Sequence, residues 1–129
     1  MLADIFNVPI EVEINGKTYK AEYNFKTYAI LESLTGKSYY KLYDLLMIEN
    51  NLTLKDSVEI ICCSFIKHHT TEEVAKIREY LQDNIHLIKE LNNSIIGAFV
   101  LPILPPEIVN TINDVKKKIQ EKLQNQQAK

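Results

Sequence analysis

Residues 53–69, TLKDSVEIICCSFIKHH, restrict the possible folds more than any other part of the chain. Leu54, Val58, Ile61 and Phe65 recur at i, i+4, i+7 and i+11, the spacing of one helical stripe. Ile60, Cys62, Cys63 and Ile66 widen the stripe, leaving Lys55, Asp56, Glu59 and Lys67 as the charged face. A helix this apolar is expected at the centre of a domain, with neighbours on more than one side. Its two cysteines are adjacent, and successive helical residues point about 100° apart. A local disulfide does not fit that geometry, so buried reduced thiols are expected, in keeping with a reducing compartment.

What precedes this helix reads as a hairpin. Two alternating runs, Val8-Pro-Ile-Glu-Val-Glu-Ile14 and Lys17-Thr-Tyr-Lys-Ala-Glu-Tyr23, flank Asn15-Gly16, whose residues tolerate the positive φ of a type I′ turn. A two-residue loop sets Ile14 opposite Lys17, Val12 opposite Tyr19, Ile10 opposite Ala21 and Val8 opposite Tyr23. One face is then nearly all apolar, while Glu11 meets Lys20 and Glu13 meets Thr18 on the other. An isolated hairpin is marginal in water, so the apolar face is expected to lie on helices.

Five further helices are expected. Asn24 can cap a helix over Phe25–Thr35, with Phe25, Tyr28, Leu31, Leu34, Ala29 and Ile30 inward and Gly36 stopping it. A shorter helix over residues 39–48, starting after Ser38, turns Leu42, Leu45 and Leu46 inward. Thr53 caps the central helix, with Asp56 in a weak capping box. Thr70 and Glu73 form a full T-x-x-E box for a helix over residues 71–82 that buries Val74, Ile77 and Leu81. A helix over residues 85–101 turns Ile85, Ile88, Leu91, Ile95 and Phe99 inward, weakened slightly by Gly97. Pro102 and Pro105-Pro106 break the chain, and Pro106 suits the first position of a last helix. Two parts follow: a hairpin and helical core over residues 1–101, and a Pro-bounded amphipathic helix with a frayed tail over residues 102–129. The fold class expected is α+β, mostly α-helical, with the hairpin packed on a bundle of about five or six helices.

Composition narrows the function classes. Net charge is −2, with 46% hydrophobic and 25% charged residues, ordinary for a soluble domain and without the basic field of a nucleic-acid binder. Met1 is followed by LADIFNVP, with no basic n-region, and residues 95–104 are too short to span a bilayer, so a cytoplasmic protein is expected. The chemistry-bearing residues group weakly. His68-His69 point to different sides and lack a third ligand; they are expected to face the C-terminal dipole of the preceding helix. Cys62 or Cys63 with His69 or His86 would need an open, electropositive setting for a thiolate, and core packing fits them better. Gly16, Gly36 and Gly97 build no phosphate loop. Glu72, Glu73, Glu79 and Asp83 read as caps or a solvated face. Tyr39, Tyr40 and Tyr43 near Lys37 and Lys41 have the makings of a base-stacking surface, but no wider basic patch supports it. No catalytic, metal or cofactor site is expected.

The last helix carries the functional expectation. Ile108, Ile112, Val115, Ile119 and Leu123 follow a 4-3-4-4 spacing opposite a face of Asn, Asp, Lys and Gln. Such a stripe folds back on the domain, pairs with another copy, or clamps a partner helix. Lys116-Lys117-Lys118 would suit a membrane surface, but the intervening acids and the lack of aromatics argue against it. These five residues are the expected partner-binding surface.

The order of signals resembles the tail assembly chaperones of long-tailed bacteriophages and gene-transfer agents. The resemblance rests on Leu31-Glu32-Ser33-Leu34-Thr35-Gly36-Lys37-Ser38 ahead of a short helix and on the later cap Thr71-Glu72-Glu73-Val74, within residues 10–91. It implies a small non-enzyme of the bacterial host cytoplasm, without cofactor, that binds the tape-measure protein or another tail protein and is absent from the mature virion. A homo-oligomer is compatible with it; nucleic-acid and membrane partners are not implied. The rival expectation is a small homo-oligomeric virion structural or head–tail completion protein.

Overall fold

The computed structural model describes residues 9–127. The fold is α+β and mostly helical, a two-stranded antiparallel hairpin followed by seven helices among the described residues. Strands β1 (Ile10–Ile14) and β2 (Lys17–Ala21) pair in the register fixed by the turn, with Ile10 opposite Ala21, Val12 opposite Tyr19 and Ile14 opposite Lys17. Asn15 and Gly16 take φ values of 52° and 77°, as a type I′ turn requires. Ile10, Val12 and Ile14 are buried and alternate with exposed Glu11 and Glu13. The expected partner of Tyr23, Val8, lies outside the described residues.

Helix α1 (Phe25–Thr35) starts on a reciprocal cap: the Asn24 side chain accepts the Thr27 N–H at 3.0 Å, and the Thr27 hydroxyl accepts the Asn24 N–H at 2.8 Å. Gly36 ends it in the left-handed region at φ 68°. Its buried face is Thr27, Tyr28 and Leu31, whereas Phe25, Ala29 and Leu34 are exposed, against expectation. A three-residue repeat drifts about 60° per step on a helix of about 100° per residue, which sets Phe25 and Leu34 on opposite sides. Helix α2 (Tyr39–Tyr43) continues as a π-helical turn, Asp44–Ile48, that buries Leu42 fully and Leu45 and Leu46 in part.

Helix α3 (Leu54–Cys63) is central, packed against α1, α4 (Thr71–Asp83) and α5 (Ile88–Ser94). Two expectations about it fail. Leu54 is exposed, since it is the first residue after the Thr53 cap and lies at the rim. Asp56 and Glu59 form no solvent face, because both are buried against cations from neighbouring segments. Lys37 Nζ donates to Asp56 at 2.7 Å, and the Arg78 guanidinium grips Glu59 through two bonds of 2.9 and 3.2 Å. The Asp56 carboxylate is therefore drawn to Lys37, while the Thr53 hydroxyl still accepts the Asp56 N–H at 3.1 Å.

The hairpin sits at the C-terminal end of α3. The Glu22 N–H donates to the Ser64 carbonyl at 2.7 Å, and the Lys20 N–H donates to His69 Nε2 at 2.9 Å. Lys67 and His68 each meet the Glu22 carboxylate at 2.7 Å, which holds it below its usual range. The histidines thus bind the hairpin and not the end of α3, which stops at Cys63 and leaves them beyond its last turn.

The Thr70–Glu73 box starts α4, which buries Val74, Ile77 and Leu81 as its spacing predicts. The single helix expected over residues 85–101 is instead a 3-10 turn (Ile85–Leu87), α5, α6 (Ile96–Val100) and a 3-10 turn holding Pro102 (Leu101–Ile103). The break falls at Ile95, at φ −100° and ψ 6°, next to Gly97, which favours a helix least among the residues there. Ile88, Leu91, Ile95 and Phe99 remain buried; Ile85 does not. These divisions raise the helix count above the expected five or six.

Tyrosines lock these pieces together. Tyr23 stacks on Tyr28 at 4.6 Å between ring centroids, and Tyr39 lies 4.9 Å from Phe99. The Tyr23 hydroxyl donates to the Ile60 carbonyl. Those of Tyr28 and Tyr39 both donate to the Phe99 carbonyl, at 2.7 and 3.2 Å. Three residues beyond Phe99 stands Pro102, which has no N–H to close a 3-10 bond to that carbonyl. Burial pushes the Tyr39 hydroxyl up to about 12 and that of Tyr28 higher still, so both remain donors. Tyr28→Phe or Tyr39→Phe alone leaves one donor on Phe99 and is expected to cost about 0.5–1.5 kcal/mol. The double variant strands a buried carbonyl and should lose about 1 kcal/mol beyond the sum. Urea unfolding of the four proteins measures this coupling, and strict additivity would show that the two hydroxyls act independently.

Candidate functional site

Most of the reactive side chains are engaged by the fold. Cys62 and Cys63 are fully buried, and burial pushes both thiols up to about 12. His69 Nε2 accepts the Lys20 amide, which places its proton on Nδ1, 3.6 Å from Glu73. His68 is bound to Glu22, and His86 is exposed on the Ile85–Leu87 turn. Among the described residues no three His, Cys, Asp or Glu side chains cluster as metal ligands. Tyr39 belongs to the core, so the three tyrosines expected near Lys37 and Lys41 form no stacking surface; Tyr40 is exposed and Tyr43 half-buried. Lys37 itself is bound to Asp56.

The stripe on the last helix is a different matter. Helix α7 (Pro106–Gln127) begins on Pro106, and the Pro105 carbonyl accepts the Ile108 and Val109 N–H groups at 3.0 and 3.2 Å. It stays helical to Gln127, into the tail expected to fray. Ile108, Val115, Ile119 and Leu123 are exposed and Ile112 is half-buried. The main packings of the fold join the other elements, not α7. The five residues thus share one helix face, with four exposed and Ile112 half-buried. Among the described residues no helix is long and apolar enough to cross a membrane.

A second apolar surface escaped the sequence reading. A groove of about 230 Å³ runs between α3 and the start of α5, lined by Leu54, Val58, Ile85 and Ile88. Leu54 and Ile88 also line an adjoining hollow of about 290 Å³ with Leu46, Leu52 and Ile96. Asn92 stands in that hollow. The residue is 4% exposed, and among the described residues its Oδ1 has no hydrogen-bond partner. The signal available beforehand was positional. Leu54 follows the Thr53 cap and Ile85 follows Asn84, both at element starts, where periodicity says least about burial.

Among known proteins, no protein-family model, curated sequence or solved structure matches this chain.

The buried thiols give a direct check. At neutral pH almost no thiolate exists in the folded state, so a disulfide reagent should label Cys62 and Cys63 only at the rate of unfolding. The raised thiol values also have a sign. Their stabilising contribution is full below the unfolded thiol value of about 8.5 and is lost as pH rises through about 12. Urea midpoints of the wild type should fall across that alkaline range more steeply than those of Cys62→Ala/Cys63→Ala. Rapid labelling of native protein would show an accessible thiol instead.

Proposed function

We propose that the protein is a non-enzymatic helix-binding chaperone of the phage or prophage tail-assembly type. In this reading it binds the tape-measure protein, or another tail protein, in the host cytoplasm, keeps it soluble during assembly and leaves before the particle is finished. The observation that carries the reading is the stripe Ile108, Ile112, Val115, Ile119 and Leu123 on α7, exposed at all but the half-buried Ile112. A long helical partner exposes apolar stripes that would otherwise aggregate. One helix face offers a reversible contact to such a partner, through anchors at i, i+4, i+7 and i+11. Burial of both thiols and the ties of His68 and His69 to Glu22 and the Lys20 amide support a binding role over a thiol- or histidine-based catalytic one. A groove and a stripe on one chain also favour the rival reading, a homo-oligomeric virion structural or head–tail completion protein.

The deciding experiment is an affinity capture of tagged protein from cells expressing its native gene neighbourhood, read by mass spectrometry, alongside analysis of purified particles. Recovery of a very long, helix-rich protein, with this chain missing from particles, is the expected result. Its presence in particles would select the structural reading. Deleting residues 106–129 should leave a cooperatively folded core and abolish capture; an unfolded product would show α7 to be core.

A further inference from the structure

The exposed apolar surfaces of this chain are bordered by charge of one sign. At about 100° per residue, the α7 stripe from Ile108 to Leu123 occupies about 80° of the helix circumference. Lys122 lies about 60° and Lys118 about 100° from the midline of that stripe, both along the same edge. Glu107, Asp114 and Glu121 lie about 140° round, on the far face with Lys117. Both edge lysines are exposed, and neither makes an ion pair among the described residues. The groove beside α3 has the same sign. Of its two charged lining residues, Glu59 is held by Arg78, which leaves Lys55 without an ion pair among the described residues. The whole chain has a formal charge of −2, so these lysines reflect placement and not a basic composition.

We propose, resting on the helix-binding reading, that the α7 stripe takes an amphipathic helix of a different protein whose apolar stripe is bordered by carboxylates. Such a helix lays apolar side chains on Ile108, Val115 and Ile119 and sets aspartate or glutamate against Lys118 and Lys122, as flanking charges select partners in paired helices. A second copy of this chain is the poorer occupant. Two α7 stripes facing each other bring no carboxylate to the seam in either direction, and in a parallel pair Lys122 meets Lys122. Laying the stripe in the groove adds Lys118 and Lys122 to a surface whose unpaired charge is already Lys55, again without a carboxylate to match. An anionic lipid surface is also the poorer fit. Four lysines and three acids leave α7 close to neutral, and its narrow stripe carries no aromatic residue. The contact runs about 23 Å along the helix, a small interface that sets a reversible association.

The test uses the full chain and two designed helical peptides with one isoleucine–leucine stripe, flanked by glutamate in the first and by lysine in the second, with binding read by fluorescence anisotropy. Wild type should bind the glutamate peptide about tenfold more tightly than the lysine peptide, and raising salt from about 0.05 to 0.5 M should shrink that preference. Lys118→Gln/Lys122→Gln should bind the two peptides alike, Lys118→Glu/Lys122→Glu should prefer the lysine peptide, and Val115→Glu/Ile119→Glu should bind neither. All four positions are exposed, so folding should survive, checked by circular dichroism and urea midpoints. Equal affinity of wild type for the two peptides, binding of neither, or a preference unchanged in Lys118→Gln/Lys122→Gln would each overturn the proposal. Self-association in sedimentation that is lost in Val115→Glu/Ile119→Glu would overturn it in favour of a second copy, and binding to phosphatidylserine vesicles lost in the same variant would overturn it in favour of a membrane surface. A native partner captured equally well by wild type and by Lys118→Glu/Lys122→Glu would discard the acidic helix and keep the chaperone reading. Loss of capture only on deleting residues 106–129 would do the same.

Discussion

Helix α3 is buried on every side from Asp56 to Cys63, and the rest of the structure follows from that demand. A helix with no solvent face needs neighbours all round, and α1, α4, α5 and the end of the hairpin supply them. Fully burying a side chain such as Val58, Ile60, Ile61 or Phe65 contributes about 1.5–3 kcal/mol. The same burial would be costly at Asp56 and Glu59 had Lys37 and Arg78 not reached in to neutralise them. The cations come from outside α3, so the acids help specify which segments pack against it.

The hydroxyls of Tyr23, Tyr28 and Tyr39 do for the backbone what the cations do for the carboxylates. The segment after Ile95 is broken into short helical pieces, and such pieces leave carbonyls without partners. Tyr28 and Tyr39 serve the Phe99 carbonyl while their rings fill the space between α1, α2 and α6. One set of side chains thus satisfies polar groups and packs the core, joining elements up to 71 residues apart in sequence.

Function then rests on what the core leaves uncovered. Packing consumes the thiols and ties His68 and His69 to the hairpin, leaving apolar surface of two shapes: a convex stripe on α7 and a concave groove beside α3. Convex and concave apolar surfaces on one chain are the physical basis for reading it as a binding protein, whether the helix in the groove comes from a partner or from another copy. A small apolar contact forms and breaks readily, which suits the release that the proposed chaperone role requires.

Local chemistry alone determined the hairpin and its register, because a two-residue loop with positive φ at Asn15 and Gly16 admits one pairing. It determined the start of α1 at Asn24, the stop at Gly36 and the box at Thr70, since caps depend on residues within a turn of each other. The α7 stripe was legible too, its spacing unbroken over four turns. Tertiary structure decided the rest. Whether Asp56 and Glu59 faced water depended on Lys37 and Arg78, both 19 residues away in sequence. The division at Ile95 was not legible either: the spacing from Ile85 to Phe99 reads as one helix, and Ile95 and Phe99 stay buried across the break. The groove, above all, exists only between elements: Leu54 and Ile85 read as core by spacing, but each sits at a helix start where no neighbour reaches. Periodicity records which side of a helix is apolar; only packing decides whether anything covers it.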